Sequence, residues 1–166
     1  MNNLPEVCLR GPIDGILALL QPAAHALLQS SEEIKLYLRD FPSDKLYESP
    51  FGRASVGFHL KHITGVLDRM MTYSRNESLS EGQFEYLNEE KTADEQTIDA
   101  LIKAFDSKVN EALSYFKSID PEILTAERFV GRKKLPSTVI GLLFHAAEHA
   151  QRHCGALRVT VSGLGF

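Results

Sequence analysis

The sequence predicts an all-α protein built as a four-helix bundle, with a short extra helix and a small hairpin or loop before the last long helix. Three observations predict it. Four stretches repeat apolar residues at intervals of three and four, the spacing that lays one stripe along a helix. The segments between them carry proline, glycine and polar residues. At 166 residues the chain has the length of one domain, so residues 1–166 are read as a single bundle able to bury roughly two-thirds of its unfolded surface.

The first helix is marked by Leu27, Ser31, Ile34, Leu38 and Phe41, after Pro22 at a first-turn position and before Pro42. Residues 42–54, "PSDKLYESPFGRA", form a connecting loop. From Ser55 to about Arg75, Val56, Leu60, Ile63, Leu67 and Met70 or Met71 mark the second helix. Ser80 and Gln83 make a capping box, with Leu79 and Phe84 as its hydrophobic staple, and open a short helix that ends in the polar "NEEK". Thr92 and Glu95 make a second box. Ile98, Ile102, Phe105, Val109, Leu113 and Phe116 then keep period through a third long helix that stops before Pro121. "ERFVGRKKLPS" has β-prone pieces on either side of Gly131 and reads as a small hairpin or an irregular loop. Pro136 and Ser137 open the last helix, which runs to about Val161.

With 18 basic and 22 acidic residues the formal charge is −4, without the basic surplus of a nucleic-acid binder. Cys8 and Cys154 have no CxxC spacing and build no disulfide framework, which fits the cytoplasm. A signal-peptide reading of Arg10, "IDGILALL" and Ala24 to Ala26 is weakened by Asp14 and Glu6. The longest apolar run falls far short of the ~20 residues of a membrane helix, so no membrane partner is expected. Amphipathic bundles often share a face, and a homodimer is compatible with the pattern.

The chemistry concentrates in "HAAEHAQRH", residues 145–153, where histidines recur every four residues. Two imidazoles four apart on a helix can reach one ion. Measured from the apolar stripe of Val139, Leu143, Ala146, Ala150, Cys154, Leu157 and Val161, His153 lies at about 60°, His149 at about 100° and His145 at about 140°. His149 and His153 therefore sit on the edge of the buried face, and His145 leans to solvent. A third ligand must come from another helix, and "FHLKHI" offers His59 or His62. The wheel places His59 nearer the apolar centre and favours it.

Competing readings attach to the neighbouring residues. His25 is a surface residue, Glu148 and Arg152 an exposed helix pair, and Cys154 a small buried hydrophobe rather than a thiolate ligand. The zinc-protease motif is broken because Ala150 stands where its general base would be. Arg128, Arg132, Lys133 and Lys134 read as a solvated turn or as a grip for an anion.

"SVGFHLKHITGVLDRMMTYSR" together with "GLLFHAAEHAQRHCGAL" resembles the DinB-like, or DinB/YfiT-like, superfamily, and "LSEGQFEYLNEE" fits one branch of it. The resemblance covers nearly the whole chain. It implies an up-down-down-up bundle in which three histidines bind a divalent metal, often nickel or zinc, and these match His62, His149 and His153. It thus favours His62 over His59, leaving His59 and His145 as neighbours of the site. Many relatives continue from the last histidine to glycine and glutamine, whereas this chain has Cys154, Gly155 and Ala156, so that glutamine's contact is absent or replaced. Some relatives are transferases or isomerases that use a low-molecular-weight thiol. The implied function is a metal-dependent enzyme, either a small-thiol S-transferase or a hydrolase acting on a small molecule. A metal-binding stress-response or interaction module without turnover is the alternative.

Overall fold

The structure, a computed structural model, describes residues 4–166. Its elements in chain order are α1 (Gln21–Tyr37), α2 (Val56–Ser74), α3 (Glu81–Glu89), α4 (Ile98–Ser118), β1 (Glu127–Val130), β2 (Leu135–Thr138) and α5 (Val139–Gly163). Single 3-10 turns punctuate the connections. No helix among the described residues is long and apolar enough to cross a membrane.

The four long helices pack because each must hide its apolar stripe. Both α1 and α2 lie against α4 and α5, so α1 faces α2 across one diagonal of the bundle. Side-chain pairs across the interfaces give the directions. His59 meets His153 while His62 meets His149, so α2 and α5 run antiparallel. Gln151 bonds Ala26 and Ser30 while Cys154 faces Glu33, so α1 and α5 run parallel. Asp68 pairs with Lys108 and Ser74 with Tyr115, so α2 and α4 run parallel. The order is up-down-down-up, and the α1–α2 connection spans the diagonal rather than a neighbouring edge. Leu27, Ile34, Leu60, Leu67, Phe105, Phe116, Leu143 and Leu157 fill the centre, all fully buried.

Local departures from the sequence reading have tertiary causes. The first helix closes at Tyr37; Phe41 is still buried, but in the turn beyond, edge-on to Phe166 at 5.5 Å. Of the two methionines, Met71 is fully buried and Met70 only partly so. Ser80 and Gln83 form the expected capping box at α3. The box expected at Thr92 and Glu95 is absent, and Thr97 caps α4 by accepting from the Ala100 N–H. Residues 91–96 are drawn aside because the buried Lys61 ammonium donates to the Thr92 carbonyl at 2.7 Å and pairs with Asp94 at 2.6 Å. Pro136 and Ser137 do not open α5. They pair with Phe129 and Arg128 in an antiparallel hairpin, and Thr138 caps the helix instead.

Thr97→Ala removes the cap from α4 and is expected to lower stability by about 1 kcal/mol, a Tm loss of about 2–4 °C. Thr92→Ala, which removes no cap, should leave the thermal midpoint within about 1 °C, as measured by circular dichroism melting.

Candidate metal centre

The antiparallel crossing of α2 and α5 brings four imidazoles together. His62, His149 and His153 each offer one ring nitrogen, and these three atoms all lie within 4.8 Å of one another, close enough for one metal ion. The Nε2 atoms of His62 and His149 are 2.9 Å apart. All three rings are half-buried. His59, fully inside at 4% exposure, stands outside this group and turns its Nδ1 to the Nδ1 of His153 at 2.9 Å.

Their protonation follows from that crowding. Burial first, and then the neighbouring imidazoles, hold His59, His149 and His153 down at about 4. At neutral pH these rings are uncharged, the state a metal ligand requires. The Nδ1 of His149 is buried without a hydrogen-bond partner among the described residues, so hydrogen bonding alone does not account for the placement of this ring.

A buried carboxylate orients the third ring. Glu90, just past α3 and 3% exposed, accepts from the His62 Nδ1 at 2.7 Å and from the Arg69 guanidinium at 2.6 Å. With its Nδ1 engaged there, Nε2 is the ring nitrogen of His62 that faces His149. Gly65 makes the approach possible: a β-carbon there would collide with the Glu90 carboxylate and, at 2.6 Å, with the Arg69 guanidinium. On the other side, the Phe58 ring stacks on His62 with centroids 5.0 Å apart and planes at 15°. The segment after α3 is tied down where Lys61 and the Tyr47 hydroxyl both bond Asp94.

The remaining candidates lie outside the cluster. His145 is exposed, with its ring 5.3 Å from that of His149. His25 is half-buried rather than fully on the surface, and its Nε2 faces the Gly11 carbonyl at 3.1 Å. Cys154 is buried in the core, and burial followed by the nearby Glu33 pushes its thiol up to about 12. It is a neutral packing group, as its place in the stripe suggests. Glu148 and Arg152 form the exposed pair read from their spacing. Arg128 is structural, donating to the Ser74 carbonyl at 2.7 Å. Sequence reasoning missed Glu90 and Arg69, whose pairing is long-range. A glycine in the middle of an apolar helix, Gly65, was the one local sign of a close approach.

The chain belongs to the DinB superfamily, whose family model matches residues 26–157. Among solved structures it is similar to a conserved protein from Enterococcus faecalis, 18% identical with a TM-score of 0.68, over 89% of this chain and 97% of that one. It is also similar to a protein from Streptococcus pneumoniae, 11% identical with a TM-score of 0.63, over 84% and 86% of the two chains. At these identities the likeness speaks for the fold. Comparison with curated proteins gives no match.

Gly65→Ala pits a helix-propensity gain of up to about 1 kcal/mol against a collision with a buried ion pair. The collision should win, with a net loss of about 1–3 kcal/mol in denaturant unfolding.

Acidification should destabilise the chelator-treated protein. In the unfolded chain these histidines take up protons near 6.5, whereas the folded rings at about 4 do not. The unfolded state therefore binds more protons between those values. Stability is complete above about 6.5 and falls as pH drops towards 4. Melting scans should show the midpoint declining across this window, and a midpoint constant from pH 7 to 4.5 would contradict the burial of neutral rings.

Proposed function

We propose that this member of the DinB superfamily is a metal-dependent enzyme in which His62, His149 and His153 hold a divalent ion. The observation that supports this reading most directly is the convergence of three ring nitrogens from two helices, with a buried carboxylate behind one of them. Three neutral imidazoles leave such an ion its full charge and at least one vacant position, the donor set of catalytic rather than structural sites. When bound, the ion would act as a Lewis acid, easing proton loss from a water or a small thiol at neutral pH. Zinc suits imidazole donors in tetrahedral geometry, and nickel would take a higher coordination number.

The protein's own residues prepare the ligands. Glu90 holds the Nδ1 proton of His62 and so aims the Nε2 lone pair, while Arg69 balances the carboxylate's charge. His59 occupies the Nδ1 of His153, which leaves Nε2 as that ring's available nitrogen. Phe58 covers one face of His62 and keeps water from it. The reaction that the family resemblance suggests is transfer of a small thiol to an electrophilic substrate, or hydrolysis of a small molecule, without a side-chain base. The two cysteines, both free, fit action in the reducing cytoplasm.

Elemental analysis of untagged protein should return stoichiometric zinc, nickel or another divalent transition metal. His149→Ala should lose it, and Glu90→Gln should weaken metal affinity by about ten- to a hundredfold. A metal-free native protein would sink the reading. A loaded protein that is inert towards thiol-transfer and ester panels, yet melts lower after chelation, would reduce it to a non-catalytic metal-binding module.

A further inference from the structure

A second cleft lies well away from the histidines. It opens between the C-terminal end of α2, the first turn of α3 and the tip of the β1–β2 hairpin, with a volume of about 340 Å³. Tyr73 in its wall is eleven residues along α2 from His62, about 16 Å at the helical rise. The hairpin is held over this end of the bundle by Arg128, which donates to the carbonyl of Ser74.

The lining is of two kinds. Phe84 and Phe129, 42% and 46% exposed, contribute aromatic surface that the core does not use, and Tyr73 adds a third ring. Arg132 and Lys134 contribute positive charge, and neither forms an ion pair among the described residues. The acidic residue on the rim, Glu77, faces Arg75 at 3.9 Å. Two of the three non-glycine residues in the left-handed region of the backbone also line this cleft: Asn76 with φ 63° and Lys134 with φ 49°. Asn76 is the left-handed cap that closes α2 and Lys134 ends the hairpin turn, so both fix the shape of the cleft wall. Exposed rings beside uncompensated cations match a flat apolar body that carries a negative charge, because the rings take up the apolar face and the cations neutralise the anion.

We infer that this cleft is a binding site for a small planar aromatic anion, a ring system bearing a carboxylate, sulfonate or phosphate, separate from the histidine cluster. The site sits on the hairpin and the α2–α3 turn, so it does not depend on a metal being bound. Lys133, on the same turn, adds to the local field without lining the cleft.

The test uses the full chain as purified and 8-anilinonaphthalene-1-sulfonate as the fluorescent probe. Expected are saturable binding, at least about a tenfold loss of affinity in the Arg132→Glu, Lys134→Glu double variant, and a several-fold loss in Phe129→Ala. All three side chains stand at the surface, so the variants should keep the wild-type circular dichroism spectrum. Treatment with EDTA should leave probe affinity unchanged, which separates this site from the proposed metal centre. Absence of saturable binding, or wild-type affinity in the charge-reversed variant, overturns the inference. So does equal binding of the neutral analogue N-phenyl-1-naphthylamine, which would reduce the cleft to an apolar trap.

Discussion

The buried carboxylate of Glu90 is the constraint around which this end of the bundle is arranged. A charge 3% exposed is tolerable only if fully paired, and its two oxygens are taken by Arg69 and by the Nδ1 of His62. Both partners lie on α2, and the carboxylate arrives from outside the four-helix core, at the end of α3. Three features serve that delivery. Gly65 removes the side chain that would stand in the way. The capping box of Ser80 and Gln83 fixes the start of α3, and Gln83 also bonds Asp68 and Thr72 on α2. Beyond Glu90, Lys61 grips the Thr92 carbonyl and Asp94. The short helix is thus secured on both sides of the one residue that must not shift.

The consequence reaches the histidines through hydrogen bonding. Because Glu90 claims one nitrogen of His62, the other is the one that faces His149. The rings of His149 and His153 are kept neutral by burial first, then by His153 in the case of His149 and by His62 in the case of His153. Arg69 balances the carboxylate locally. A cation binding at the cluster would meet ring nitrogens already within 4.8 Å of one another.

The long helices were legible because each carries its own evidence: a stripe that must be buried, at a period that admits one conformation. What escaped were places where a distant residue decides. Thr92 and Glu95 satisfy the local rule for a helix start, but Lys61 pulls that segment onto α2 and passes the cap to Thr97. Pro136 and Ser137 satisfy another such rule, but pairing with β1 holds them in a strand, where proline's missing N–H costs little on a two-stranded ribbon. The fourfold spacing of His149 and His153 was visible in the same local way. The Glu90–Arg69 pair was not, because residues 21 apart meet only once the fold exists.

The helical wheel and the geometry of the cluster rank His59 and His62 differently, since the three nitrogens within 4.8 Å of one another belong to His62, His149 and His153. The wheel scores depth, and His59 is indeed deeper, 4% exposed against half-buried for His62. For a group that would serve an ion, depth is the wrong measure, since a ring in the apolar centre has its polar atoms consumed by its neighbours. The Nδ1 of His59 is spent in this way on His153. A ring on the edge can keep one nitrogen anchored to a carboxylate and turn the other to a neighbouring ring, as His62 does between Glu90 and His149. The useful positions on an amphipathic helix are therefore its boundaries, where burial is sufficient to hold a side chain neutral and insufficient to seal it off.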